Sequence, residues 1–200
     1  WSRGLGDVYK RQAQETLQNI RDQLMAAGVP VLHQPAHITV AAVSTMEDVD
    51  SRLVDVGWPE RIRLTTSCRL PNSDGVVALC PHDPTSSDPV TIFDTSGEGE
   101  PELCFAPTPV GSFRAATCLP EALRRPHDLL HRRLAAVGVT AFNYYSPRWW
   151  NPHVTMGYQV PPKLQGRAVR ILAGVAPLEV GVAGVSVWQV GDGHTYRLCP

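Results

Sequence analysis

The 200-residue chain is expected to form an α+β fold built from a duplicated unit, and three observations lead there. The first is a repeated motif. His37-Ile38-Thr39-Val40 and His153-Val154-Thr155-Met156 each set a histidine two residues before a threonine, and the two histidines lie 116 residues apart. The second is order: a helix, a His-x-Thr strand, a short helix and hairpin strands occur once and then occur again. The third is composition. A hydrophobic fraction of 43% in a chain of this length gives one domain a substantial core. Together they predict two small antiparallel sheets backed by helices, two lobes around a central cleft, and equivalent strand faces meeting across it.

Taken in order, Asp7 to Gln12 (DVYKRQ) resembles the translated end of a transposon-based sequencing adapter. Residues 1–12 are therefore expected to be non-native, with a single domain over 13–200 and a native first strand lost. Ala13 to Ala27 has Leu17, Ile20, Leu24 and Met25 on one helical face, and Gly28 then Pro30 stop it. A strand is expected over His37 to Val43. Ser44 or Thr45, with Glu47 behind, predicts the cap of a short helix through Val56. Arg61 to Leu70 and Gly75 to Cys80 form a hairpin around the turn residues Pro71 to Gly75.

Pro81 to Glu100 is rich in Pro, Ser, Asp and Gly and reads as a loop, with a short strand at Val90 to Phe93 and another at Glu102 to Ala106. Leu119-Pro120-Glu121 opens a helix that runs to about Ala136 and is closed by Gly138, kinked or restarted at Pro126. The second motif follows, then a helix over Gln165 to Ala173, and strands over Leu178 to Val190 and Thr195 to Leu198.

The net charge of −1 makes no electrostatic case for nucleic acid or an anionic membrane. All but two of the 18 basic residues (Lys10 and Lys163) are Arg, as a GC-rich coding sequence produces. No apolar run approaches the ~18 residues of a membrane span. The five cysteines, Cys68, Cys80, Cys104, Cys118 and Cys199, contain no CxxC pair. Neither a zinc ribbon nor a disulfide framework is expected, and reduced thiols in a cytoplasmic monomer are.

Two histidines on opposite walls of a cleft suit proton transfer on both sides of one reacting centre. Imidazole titrates at about 6.5, so near neutrality one ring can accept a proton while the other donates one. Thr39 and Thr155 lie about 7 Å further along each strand and can donate to the same centre. Such a donor set fits a tetrahedral phosphate better than a flat carbonyl. No carboxylates flank either motif to hold a metal, and no metal or cofactor is expected.

The motifs resemble the paired HxTx motifs of the 2H phosphoesterase superfamily, which includes RNA 2′,3′-cyclic phosphodiesterases and bacterial 2′-5′ RNA ligase-like proteins. The context is similar too: Ala27-Gly28-Val29-Pro30 ends the helix before the first motif, and Pro152 to Tyr158 reads Pro-His-Val-Thr-Met-Gly-Tyr. The first motif departs by carrying Ala36 between proline and histidine. The resemblance implies a bilobal fold and a metal-independent phosphodiesterase for 2′,3′-cyclic phosphates or 2′-5′ phosphodiesters of RNA ends or small nucleotides. His37 and His153 would be acid and base, and Thr39 and Thr155 phosphate donors.

Tyr145, Arg148 and Trp150 before the second motif, and Tyr158 after it, are candidate substrate-binding residues, by base stacking or phosphate pairing. The alternative for the aromatics is packing at the lobe junction. His127 and His131 lie four apart on a helix without a third ligand and read as a solvated face. The alternatives for the whole chain are a module that binds nucleotides or RNA ends without turnover, and a structural protein in which the two motifs coincide by chance.

Overall fold

A computed structural model describes residues 5–44, 49–70, 75–81, 106–107, 113–114, 119–188 and 195–199, and side-chain surroundings for 14–44, 49–70, 75–81 and 119–187. The expected strand at Val90 to Phe93 lies outside these residues, as does most of the one at Glu102 to Ala106. The fold is mixed helix and antiparallel strand, as the sequence predicts.

Helix α1 runs Leu5–Ala26, starting well before Ala13. Between Asp7 and Ala26 there is neither Pro nor Gly to interrupt it. Leu17, Ile20 and Leu24 are buried, whereas Met25 remains exposed. Gly28 takes φ +77°, and the Val29 N–H closes back on the Leu24 carbonyl at 2.9 Å. That is the left-handed helix stop glycine allows. Helix α3 (Glu121–Ala136) ends identically, with Gly138 at φ +77° and the Val139 N–H on the Leu134 carbonyl at 2.9 Å. Pro126 is accommodated inside α3, which runs on without a break.

The short helix α2 is only Ser51–Val54. Its cap is Asp50, whose carboxylate accepts from the Arg52 and Leu53 amides at 2.9 and 3.0 Å, and not Ser44 or Thr45. The side chain that reaches the free first-turn amides sets the start.

The main sheet has four antiparallel strands in the order β5-β2-β1-β6, where β1 is Arg61–Arg69, β2 Val77–Pro81, β5 Val154–Gly157 and β6 Leu178–Gly181. This sheet draws its strands from both halves of the sequence. Two short pairs complete the described strands: β3 (Ala106–Pro107) with β4 (Phe113–Arg114), and β7 (Val185–Trp188) with β8 (Thr195–Cys199). The strand expected over 178–190 splits at Gly184, which turns to φ +136°, just after the Val182 amide makes the last bond of the β1–β6 register to the Glu60 carbonyl.

One core gathers α1, helix α4 (Pro162–Ala173) and the inner face of the main sheet around Leu24, Leu64, Leu79, Met156 and Leu172. A second gathers α2, α3 and the first motif around Val54, Leu130, Leu134, Val40 and Val43.

Gly157 ends β5 where a Cβ would meet Val77 Cγ2 at 2.6 Å, Val160 Cγ2 at 2.9 Å and the Pro30 carbonyl at 3.1 Å. Gly157→Ala is expected to destabilise the fold by about 1–3 kcal/mol through overpacking, read as a lowered denaturation midpoint at unchanged slope.

Cys68 and Cys80 are joined in a disulfide across β1 and β2. The expectation of reduced thiols fails for this pair, because antiparallel pairing brings residues twelve apart in sequence to neighbouring sheet positions. That ground for a cytoplasmic location lapses with it. Among the described residues no helix is long and apolar enough to cross a membrane.

Candidate active site

The second motif is built as its alternation predicts. Val154 and Met156 point into the first core and are fully buried, while His153 and Thr155 are half-buried on the opposite side. Thr155 stands opposite Ala78 of β2, which fixes its place on the sheet. Asn151 and Pro152, just upstream, are buried.

The first motif is extended but has no strand ladder, correcting the strand expected over 37–43. Among the described residues its one strand contact is an isolated bridge from Val43 to Ala141. Its carbonyls are taken by other partners. The Trp150 indole Nε1–H donates to the Thr39 carbonyl at 2.7 Å. His127 and His131 place Nε2 at 3.0 and 3.2 Å from the Val40 carbonyl, and the Phe142 amide donates to Ala42 at 2.8 Å. Upstream, the buried Arg21 guanidinium holds the Gln34 carbonyl at 2.8 Å.

The two motif histidines are anchored alike. His37 Nδ1 lies 2.8 Å from the Pro35 carbonyl, and His153 Nδ1 lies 2.8 Å from the Asn151 carbonyl. A carbonyl can only accept, so each Nδ1 carries the proton and each Nε2 is left as the acceptor in the neutral ring. His153 also senses His37. Burial is the main cause holding the His153 pKa below the ordinary histidine value, and the charge on His37 lowers it further, while the Asn151 carbonyl opposes both. His37 itself is exposed.

Around them, the Tyr145 hydroxyl hydrogen-bonds with the Thr39 side chain, and burial pushes its phenol pKa up. Trp150 is 2% exposed, with its ring stacked on His127 at 3.7 Å and 3°. It has a packing role and offers no open face to a base, which corrects its place among the substrate-binding candidates. Arg148 is exposed, its guanidinium 4.4 Å from the Trp149 ring centre. Tyr158 is exposed just beyond β5.

His127 and His131 do not form a solvated face. His127 is 1% exposed and His131 half-buried, both turned toward the first motif. Sequence reasoning missed this pair and Arg21 as supports of the site. The signal was present for His127, which falls on the same helical stripe as Leu123, Leu130 and Leu134. Among the described residues no group of three metal-ligating side chains gathers.

An open groove of about 850 Å³ runs along α3 between Gly57, Pro59, Glu121, Arg125 and Arg132. None of the four motif side chains lines it. No family model, curated protein or solved structure matches the chain. What the site can do therefore rests on its own residues.

Proposed function

We propose that the protein is a metal-independent phosphodiesterase acting on 2′,3′-cyclic phosphates, or related 2′-5′ phosphodiesters, of RNA ends or small nucleotides. The observation that carries this reading is the matched pair of histidines, each with Nδ1 fixed by the carbonyl two residues back, with the charge of His37 acting on His153. The reading includes a two-lobed body; in its support, Val40 and Val43 of the first motif pack against the cluster around Val54, Leu130 and Leu134, while Val154 and Met156 of the second lie in the cluster around Leu24 and Leu64, which Ile38 also touches.

In this reading His153 is the base. Its lowered pKa keeps the ring neutral near pH 7, and Nε2 takes the proton of an attacking water. As the water oxygen bonds to phosphorus, one ester bond of the cyclic phosphate breaks. The departing ribose oxygen receives its proton from His37, which leaves a phosphomonoester and a free hydroxyl. Thr39 and Thr155 donate hydrogen bonds to the non-bridging oxygens, where charge builds in the transition state.

A panel of 2′,3′-cyclic nucleotides assayed with EDTA present tests the reading. Turnover is expected to be unchanged by the chelator, and abolition by EDTA would overturn it. Binding without product would favour a non-catalytic module. The pH profile gives a second check. The acid limb of kcat/KM reports the base in the free enzyme, so activity should persist below the ordinary histidine pKa of about 6.5 before falling.

A further inference from the structure

The first motif lacks the ladder that positions the second, yet the two must be held in a fixed relation for any chemistry between them. The contacts that replace the ladder come from one place. Trp150, three residues before His153, donates its indole N–H to the carbonyl of Thr39, two residues after His37. The chain separation bridged by that hydrogen bond is 111 residues. The indole itself has no freedom to swing, because it lies face to face with His127 at 3.7 Å and is 2% exposed. His127 and its neighbour His131 then hold the next carbonyl, that of Val40. The tie between motifs is thus a short rigid path from His153 through Trp150 to Thr39 and His37.

We propose that Trp150 is a positioning residue, a strut that sets the spacing and register of the two histidine motifs, with His127 as the clamp that orients its ring. The inference rests on the phosphodiesterase reading for its consequence in turnover, but its geometric content is independent of substrate.

The neutral form of His127 suits the clamp. Burial, and next the charge of His131, hold its pKa down to about 3, so a flat uncharged ring faces the indole across the working pH range. The charged and titratable groups about it are His131, whose own pKa is lowered chiefly by burial, and Asp128, which opposes that. The Tyr145 and Val40 carbonyls are the polar groups that meet its ring.

Trp150→Phe keeps an aromatic ring against His127 and removes the N–H donor together with the five-membered part of the buried indole. Two readouts decide the proposal. In the first, NMR titration follows the His153 ring, whose pKa His37 lowers. His37→Gln should raise the His153 pKa in the wild type, and raise it less in the Trp150→Phe background, because the two rings are no longer held together. Equal increments in both backgrounds would overturn the strut.

In the second, kcat/KM on a 2′,3′-cyclic nucleotide should fall about 10- to 100-fold in Trp150→Phe, mostly in kcat, as misplacement of a catalytic group requires. An unchanged kcat would also overturn it. If the wild type turns over no such substrate, the functional reading fails while the titration still decides the strut. Should Trp150→Phe fail to fold, His127→Phe keeps the stack, leaves His131 on Val40, and is expected to show the same losses in smaller degree. Unchanged coupling and unchanged kcat in a folded His127→Phe would then count against the proposal.

Discussion

His37→Ala and His153→Ala are each expected to lower kcat on a 2′,3′-cyclic nucleotide by about 10²–10⁴, the range a positioned acid or base contributes. Stability should move little, because neither ring fills a core: His37 is exposed and His153 half-buried. The two losses should not add. An acid and a base that act in one proton relay fail together, so the double variant should be nearly as active as the poorer single one. Thr39→Val and Thr155→Val should show smaller losses, each removing one donor from the transition state. A single histidine variant that retained a third of wild-type activity, with thermal unfolding unchanged, would remove the paired-histidine mechanism altogether.

Acid should unfold this protein through His127. Its folded-state pKa, held to about 3 by burial first and by the His131 charge second, lies below the value of about 6.5 in an unfolded chain. Between those values the unfolded state binds the extra proton and the folded state does not. Stability is therefore fully present above pH 6.5 and is lost progressively as pH falls toward 3. From this one group the loss between pH 7 and pH 5 is about 2 kcal/mol. His131, also lowered by burial, pushes in the same direction. Urea unfolding at the two pH values measures the difference, and His127→Phe should flatten it even if it lowers stability at pH 7. An equally steep pH dependence in that variant would show that the acid sensitivity arises elsewhere.

How much of this was legible in the sequence follows from where the information lies. The helices declared themselves through local rules. The stripe of Leu17, Ile20 and Leu24 and the stop at Gly28 needed no partner to be read, and neither did Glu121 to Ala136 with its stop at Gly138. The β1–β2 hairpin was equally local, and so was the alternation at His153 to Met156. What failed was non-local. Nothing near His37 to Val43 says that its carbonyls will be met by Trp150, His127 and Phe142, which lie far along the chain. Pattern alone could not distinguish a strand from an extended segment held by side chains. The sheet drawing strands from both halves was hidden for the same reason, whereas the disulfide between Cys68 and Cys80 spans the local hairpin and was missed because the cysteines were matched only against CxxC and framework patterns. His127 is a different miss: its place on the apolar stripe of α3 was visible, but the spacing to His131 drew the reading toward a metal motif and a solvated face.

The pairing of Trp150 with Thr39 across 111 residues also says when the site comes into being. A chain leaving the ribosome presents His37 early, but the Thr39, Val40 and Ala42 carbonyls after it meet their partners only once α3 and the segment through Trp150 have been made. The main sheet waits in the same way, since β1 and β2 must hold their edges open for β5 and β6. Folding of this kind is governed by late, distant closures and is slow for its size. Translation halted before residue 150 would leave the first histidine on the chain and no site around it.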